Sequence, residues 1–359
     1  MRYRARDPEA LELLRGKHPR FLDPAIKWLP LNSSDAEIGG AGLDLADAQL
    51  AVARAYDFRD WPSLIEWVTA VSQRDSAAFL FESAVEAVIG GDATTLKRLL
   101  REHPELVRAR SMRVCCFNPT QHRATLLHYV AANGVEGYRQ KTPPNAVEIA
   151  RILLEAGAEP DALADMYGGQ CTTMSMLVSS SHPAGAGVQV DLVNTLIDFG
   201  AAVDSRGAGD WTSPLMTALV FGFPDAAEAL VQRGAKIDNI AEAAGLNRTE
   251  EVRRMLPAAT ADGRHRALAI AAQLGHAGIV GLLLDAGEDP NRYNPNGMHA
   301  HSTPLHQAAV AGHDAVVRLL VERGADLTTI DNIFKGTPLG WAEHGGHKEV
   351  ANYLRSRSA

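Results

Sequence analysis

The chain has 359 residues, a length that accommodates two or three domains or one long array. Hydrophobic residues make up 46% and charged ones 22%, the balance of an ordinary soluble protein, which excludes collagen-like and wholly disordered chains. The 43 acidic against 35 basic residues give a formal charge of −8, which works against non-specific binding to nucleic acid or an anionic membrane.

The start, Met1-Arg-Tyr-Arg-Ala-Arg6, is basic but runs into Asp7-Pro-Glu-Ala-Leu-Glu-Leu-Leu14, not into an apolar core with a cleavage site, so no signal peptide is read. Gly39-Gly-Ala-Gly42 reads as a loop. Leu45-Ala-Asp-Ala-Gln-Leu-Ala-Val-Ala-Arg54 has the composition and 3.6-residue apolar spacing of a helix. Tyr56-Asp-Phe-Arg-Asp-Trp61 breaks it, and Pro62 opens a second helix through Trp67 to Val71. Residues 82–107, with Gly90-Gly-Asp92, Leu96-Lys-Arg-Leu-Leu100 and Pro104, have a helix-turn-helix rhythm. Cys115, Cys116 and Cys171 lack metal-type spacing, and an odd count fits no disulfide framework; reduced thiols in a cytoplasmic protein are expected. Apolar stretches such as Ile279-Val-Gly-Leu-Leu-Leu284 fall far short of the roughly 18 residues of a membrane span.

From residue 125 onward a word recurs. Thr125-Leu-Leu-His-Tyr-Val-Ala-Ala-Asn-Gly134 is followed by Leu153-Leu-Glu-Ala-Gly-Ala158, and Thr172-Thr-Met-Ser-Met-Leu-Val-Ser-Ser-Ser-His182 by Leu196-Ile-Asp-Phe-Gly-Ala201. Ser213-Pro-Leu-Met-Thr-Ala218 precedes Ala229-Leu-Val-Gln-Arg-Gly-Ala235, and residues 239–256 form a degenerate copy. Arg266-Ala-Leu-Ala-Ile-Ala-Ala-Gln-Leu-Gly-His276 leads to the clearest pair, Thr303-Pro-Leu-His-Gln-Ala-Ala-Val-Ala-Gly-His313 and Thr337-Pro-Leu-Gly-Trp-Ala-Glu-His-Gly-Gly-His347, 34 residues apart. Each word has a physical sense. Thr caps a helix whose first position is Pro, where the missing donor costs nothing. Alanines let two helices approach, and glycines end them.

These words and their spacing resemble the ankyrin repeat, whose period is about 33 residues and whose signature contains T-P-L-H-x-A. The resemblance covers roughly residues 80–359. It implies an all-α solenoid of about eight helix-turn-helix units joined by short β-hairpin loops, elongated and curved, with a concave surface. Residues 1–75 stand outside it and are read as a helical capping domain over the apolar face of the first unit, the array being 76–359. The run at 53–62, Ala-Arg-Ala-Tyr-Asp-Phe-Arg-Asp-Trp-Pro, resembles the helical leader of some bacterial ankyrin-repeat proteins.

Departures from the pattern locate the candidate site, since insertions in such arrays fall outside the shared core. Gly222 to Gly234, Gly275 to Gly287 and Gly312 to Gly324 each span 12 residues, whereas Gly134 to Gly157 spans 23, so Glu136-Gly-Tyr-Arg-Gln-Lys-Thr-Pro-Pro-Asn145 lies in an insertion of 11. A second insertion, of 7, surrounds Pro183-Ala-Gly-Ala-Gly-Val-Gln189. The hairpins holding Ala164-Asp-Met-Tyr-Gly-Gly-Gln170 and Asn296-Gly-Met-His-Ala-His301 are long. The ankyrin resemblance implies structural hydrogen bonds for His128 and His306, and the Gly-His positions His182, His276, His313 and His347 are read as structural too.

The expected function is a non-catalytic scaffold that binds a protein partner on its concave face and hairpin tips, without a cofactor, nucleic acid or membrane insertion. Tyr129, Tyr138, Arg139, Lys141, Tyr167, Trp211, His299, His301, Trp341 and His344 are the expected contact residues. The rival reading is an enzyme or small-molecule-binding protein with a His/Tyr/Trp-lined pocket, in which Tyr138, Lys141 and His344 transfer protons. A metal alternative places zinc on His299, His301 and His306. No GxSxG, GxxxxGK[ST] or HExxH motif is present.

Overall fold

A computed structural model describes residues 7–205, 207 and 212–357. The chain forms two compact units, Met1–Trp211 and Thr212–Ala359. None of the described helices is long and apolar enough to cross a membrane.

The first unit begins with four helices, α1 (Pro8–Lys17), α2 (Asp35–Gly39), α3 (Leu45–Ala55) and α4 (Trp61–Ser72). Each starts where a short polar side chain can take a free amide: Asp7 caps α1, Asp60 caps α4, and Ser34/Glu37 and Asp44/Asp47 form reciprocal capping boxes on α2 and α3. Leu11, Leu14, Phe21, Ile38, Leu43 and Ala51 close a small core beneath α1 and α3. The helices at 45–54 and 62–71 follow the sequence expectation, the expected loop at 39–42 begins one residue later because Gly39 closes α2, and α1 and α2 were not anticipated.

Helix α4 packs on α5 (Ala77–Gly90), which pairs with α6 (Ala93–Glu102). Ser76 caps α5, so this unit starts earlier than the Glu82 read from the sequence, and Glu82 lies buried in mid-helix. The next pairs are α7 (Leu126–Val130) with α8 (Ala146–Glu155), then α9 (Thr173–Leu177) with α11 (Gln189–Asp198). First helices pack on first helices and second on second: α5 on α7 on α9, and α6 on α8 on α11. Strands β1 (Ala164–Met166) and β2 (Gly169–Cys171) form an antiparallel hairpin, Ala164 opposite Cys171, and α10 (Ser181–Gly185) fills the insertion in the third pair.

The second unit holds five pairs: α12 (Pro214–Val220) with α13 (Pro224–Gln232), α14 (Ile240–Gly245) with α15 (Thr249–Met255), α16 (Ala261–Gln273) with α17 (Ala277–Asp285), α18 (Pro304–Val310) with α19 (Asp314–Glu322), and α20 (Pro338–His344) with α21 (Lys348–Arg357). Its core is built of alanines in the first helices and Ile279, Val280, Leu283, Val316, Val317 and Leu320 in the second.

The Gly-His word acts across pairs. Gly275 sits at φ +80°, and a Cβ added there would lie 2.6 Å from Nδ1 of His313 in the following pair. Nε2 of His313 then reaches the Gln273 carbonyl at 2.9 Å. Gly312 and His347 repeat the arrangement, with Nε2 of His347 at 3.0 Å from the Val310 carbonyl. His276 bonds the Gly245 carbonyl, whereas His182 is exposed. His128 and His306 lie wholly buried, each with Nδ1 on the capping threonine and Nε2 at a backbone carbonyl, Cys171 and Gly336 respectively.

Burial pulls the His128 pKa from its ordinary value down to about 4, and it moves His276, His299, His301 and His306 in the same direction. Between pH about 6.5 and 4 the unfolded chain therefore binds protons that the fold refuses. Stability is fully present above the ordinary histidine pKa and falls as pH drops toward 4. Urea denaturation at pH 7.5 and 5 should show this loss, with a slope of up to about 1.4 kcal/mol per pH unit for each such histidine. His128→Asn should lower stability at pH 7.5 and flatten the pH dependence of the first unit.

Candidate functional site

The site grows from the run at 53–62. Beyond α3 the chain turns at Asp57, at φ +59°, and pairs with the segment that follows α6: Phe58 bridges Cys115, the Arg59 amide donates to the Val114 carbonyl, and the Cys116 amide donates to Asp57. Phe58 is buried and its ring lies 5.3 Å from that of Trp67, whose Nε1 points at Glu82 Oε1 at 3.4 Å. The helical segment ahead of the first pair is thus tied to it by both backbone and side chain.

Arg113, with a side chain that exposes 0% of its surface, occupies the joint. Its guanidinium carbon stands 4.2 Å from the Phe58 ring centre and 4.5 Å from that of Trp67. It donates to the Tyr56 carbonyl at 2.9 Å and to the Tyr138 hydroxyl at 2.7 Å, and Nε stands 3.0 Å from Glu136 Oε1. The same oxygen is 3.1 Å from His122 Nε2. Because His122 Nδ1 accepts the Ala124 amide, Nε2 carries the proton and donates it to Glu136. Arg139 completes the network, 2.5 Å from Glu82, 3.0 Å from Glu86 and 3.9 Å from Glu136. Burial pushes the Glu136 carboxyl up, but the His122 hydrogen bond and the Arg113 and Arg139 charges outweigh it and hold the pKa at about 2. The insertion at 136–145 therefore folds inward, its 3₁₀ turn at Gly137–Arg139 delivering both a carboxylate and a guanidinium to the interior.

Beside this network lies a cavity of about 270 Å³ lined by Asp57, Phe117, Asn118, His122, Gln140 and the β1–β2 hairpin residues Asp165, Met166 and Tyr167, among others. Asp57 Oδ2 accepts the Gly137 amide at 2.7 Å, while Oδ1 stands 3.9 Å from the Lys17 ammonium. Burial moves the Asp57 carboxyl above its ordinary range, opposed by the Gly137 hydrogen bond and Lys17.

Among the described residues, Cys115, His122 and Glu136 form a group whose potential metal-ligating atoms all lie within 4.8 Å of one another. The donor set suits zinc in kind. However, the carboxylate oxygen already faces the Arg113 guanidinium, a fixed cation where a second would have to sit, and burial keeps the Cys115 thiol protonated. The trio reads as part of the ion-pair network.

Several expected contact residues are placed otherwise. Tyr129 is wholly buried against Phe81 and His122, and Arg139 is enclosed by carboxylates, so neither faces a partner. Tyr138 is partly exposed, Lys141 is exposed, and Tyr167 at the hairpin turn is more open than Tyr138. Tyr138 and Lys141 belong to the first unit and His344, exposed at the end of α20, to the second, so no one unit assembles the proton-transfer trio of the rival reading. Trp211 lies outside the described residues. The zinc alternative on His299, His301 and His306 is not supported: His299 Nε2 bonds the Val220 carbonyl, and both nitrogens of His306 are engaged by Thr303 and Gly336. His301 sits instead in an aromatic cluster with Phe334 and Trp341 at 5.8 and 5.7 Å. Sequence reasoning missed Asp57, Arg113, His122 and Glu136 as a group, because they come from the leading helices, an irregular segment and an insertion with no common spacing.

A family model described as ankyrin repeats (3 copies) matches residues 268–359. The chain is 28% identical over 290 residues, 76% of its length, to the ankyrin repeat and KH domain-containing protein mask-1 of Caenorhabditis elegans, and covers 9% of that protein. It is 31% identical over 140 residues to a putative ankyrin repeat-containing protein of Treponema pallidum, covering 38% of each. It is 34% identical over 127 residues, 34% of its length, to human cyclin-dependent kinase 4 inhibitor B, of which it covers 89%. Apart from the last, these relatives are spanned only in part, the first by about a tenth of its length.

Removing one member of a buried ion pair strands the other charge, at a cost of about 3–5 kcal/mol. Arg113→Met and Glu136→Gln should each destabilise the first unit by roughly that amount. The double variant should lose less than the sum, as a double-mutant cycle in urea would measure.

Proposed function

Since the chain belongs to the ankyrin-repeat family, whose repeats are generally protein–protein interaction modules, we propose that it is a non-catalytic recognition protein that holds a protein partner at its hairpin tips. The observation that carries this reading is the set of exposed apolar side chains on two successive hairpins of the second unit: Tyr293, Ile330 and Phe334 expose 37%, 48% and 54% of their surface. Large apolar side chains held open at a solvent edge are the material of interface cores.

The tips are preordered. The Tyr293 hydroxyl donates to the Ile330 carbonyl at 2.6 Å, linking one hairpin to the next. Asn291 likewise bonds the Gly324 carbonyl and accepts the Asp326 amide. Asp331, fully buried, accepts the amides of Ile333, Phe334 and Gly336 and the Trp341 indole N–H. Burial raises the Asp331 carboxyl, but these four donors outweigh it and hold the pKa low. Phe334 thus rests on Trp341 and His301, and a surface fixed in advance loses little entropy when a partner docks. In this reading Trp341 and His301 support the contact from beneath, His344 lies at its margin, and Tyr138, Lys141 and Tyr167 offer contacts on the first unit. A relative whose name marks it as a kinase inhibitor acts on another protein, which agrees with this assignment.

A photo-crosslinking residue at position 334 should trap one protein from the native lysate. Ile330→Ser with Tyr293→Ala should reduce its capture by ~30-fold, a loss of about 2 kcal/mol for removed anchors, with the helical fold retained. Undiminished capture by the double variant would show that the tips are not the binding surface.

A further inference from the structure

We infer that the cavity between Asp57 and Tyr167 receives the ammonium end of a lysine side chain from the protein partner. The inference rests on the recognition reading above and names a chemical feature of the partner. The lining carries two carboxylates, Asp57 and Asp165, and no lysine or arginine. Its one imidazole, His122, is turned to the ion-pair network, with Nδ1 accepting the Ala124 amide and Nε2 facing Glu136. The Asp57 side chain is 10% exposed, and its Oδ1 faces the Lys17 ammonium, 3.9 Å away with a side chain 43% exposed. A carboxylate taken out of water is only partly compensated by a countercharge beyond hydrogen-bond distance, and an entering cation in direct contact relieves the rest.

The walls specify the cation further. Phe117, Met166 and Tyr167 supply apolar and aromatic surface for a methylene stem and for the face of an ammonium ion. About 270 Å³ lies just below the range of about 300–1,000 Å³ of drug-sized sites, which suits one extended side chain. Asp57 has one oxygen engaged by the Gly137 amide, so it cannot offer the two-oxygen fork that favours arginine, and a single point charge fits better. Tyr167, 64% exposed at the turn between β1 and β2, brings the cavity to the surface at a hairpin tip. The net charge of −8 steers basic surfaces toward the molecule.

The test uses the ¹⁵N-labelled full chain and three probes: the peptide acetyl-Ala-Ala-Lys-Ala-Ala-amide, its norleucine counterpart and n-butylamine. The lysine peptide should shift the amides of Gly134, Gly137 and Tyr167 saturably at millimolar concentration, and the norleucine peptide should not. Asp57→Asn keeps the acceptor for Gly137 and should weaken binding about tenfold, the loss expected for one charge-assisted hydrogen bond. Lys17→Ala removes the resident competitor and should tighten it. Absence of saturable shifts, or equal binding by the norleucine peptide or by Asp57→Asn, would overturn the proposal. Equally tight binding of n-butylamine would reassign the cavity to free amines and overturn the side-chain assignment. If the crosslinked partner is still captured at the second-unit tips while the peptide arm fails, the cavity inference alone falls.

Discussion

The Arg113–Glu136 pair is the constraint on which the first unit depends. Neither residue reaches water, so each charge is tolerable only while the other is in place. Their partners come from separate parts of the chain: Tyr56 from the leading helices, His122 from the segment after α6, Tyr138 and Arg139 from the insertion, Glu82 and Glu86 from α5. Satisfying two buried guanidinium groups fixes the positions of all these segments together. The cavity beside Asp57 is a by-product of that fixing, because the Gly137 amide that seats the inserted turn also orients the carboxylate.

The two units settle the same problem with different chemistry. Alanine-rich first helices and aliphatic second helices build the core of the second unit, with single buried polar groups such as Glu242, His265 and Asp331 set among them. The first unit, with short helices α7 and α9 and an irregular segment between α6 and α7, buries a connected network of paired charges. Ion pairs of this kind add little net stability over apolar packing, but they tolerate few alternative arrangements, which suits a region that must hold a pocket open.

How much of this was legible in the sequence follows from the range of the interactions involved. Helix starts at Thr303 and Thr337 and ends at Gly312 and Gly346 are set by neighbouring residues, and the repeated words disclosed them along with the eight helix pairs. The lengths of the insertions were equally readable, since counting needs no contacts. Their direction was not. Glu136 and Arg139 look like solvated charges until His122, Arg113 and Glu82 are known to surround them, and those residues lie 14, 23 and 54 or more positions away from one or the other. Tyr129 misled for the related reason that an aromatic next to an insertion reads as a wall, while its place on α7 turns it toward Phe81. The Tyr293–Ile330 link was invisible because it runs through a backbone carbonyl, which has no sequence signal.

The glycine notch that admits the next histidine makes the stack polar: Gly275 receives His313, and Gly312 receives His347. In these repeats notch and key keep their places although the hairpins between them differ in length. A duplication or excision of a complete repeat leaves all notches matched, whereas a cut through the middle leaves a key facing a filled or missing slot. The length of this part of the chain is therefore free to drift only in whole repeats, a quantisation imposed by the geometry of one imidazole against one missing methyl group.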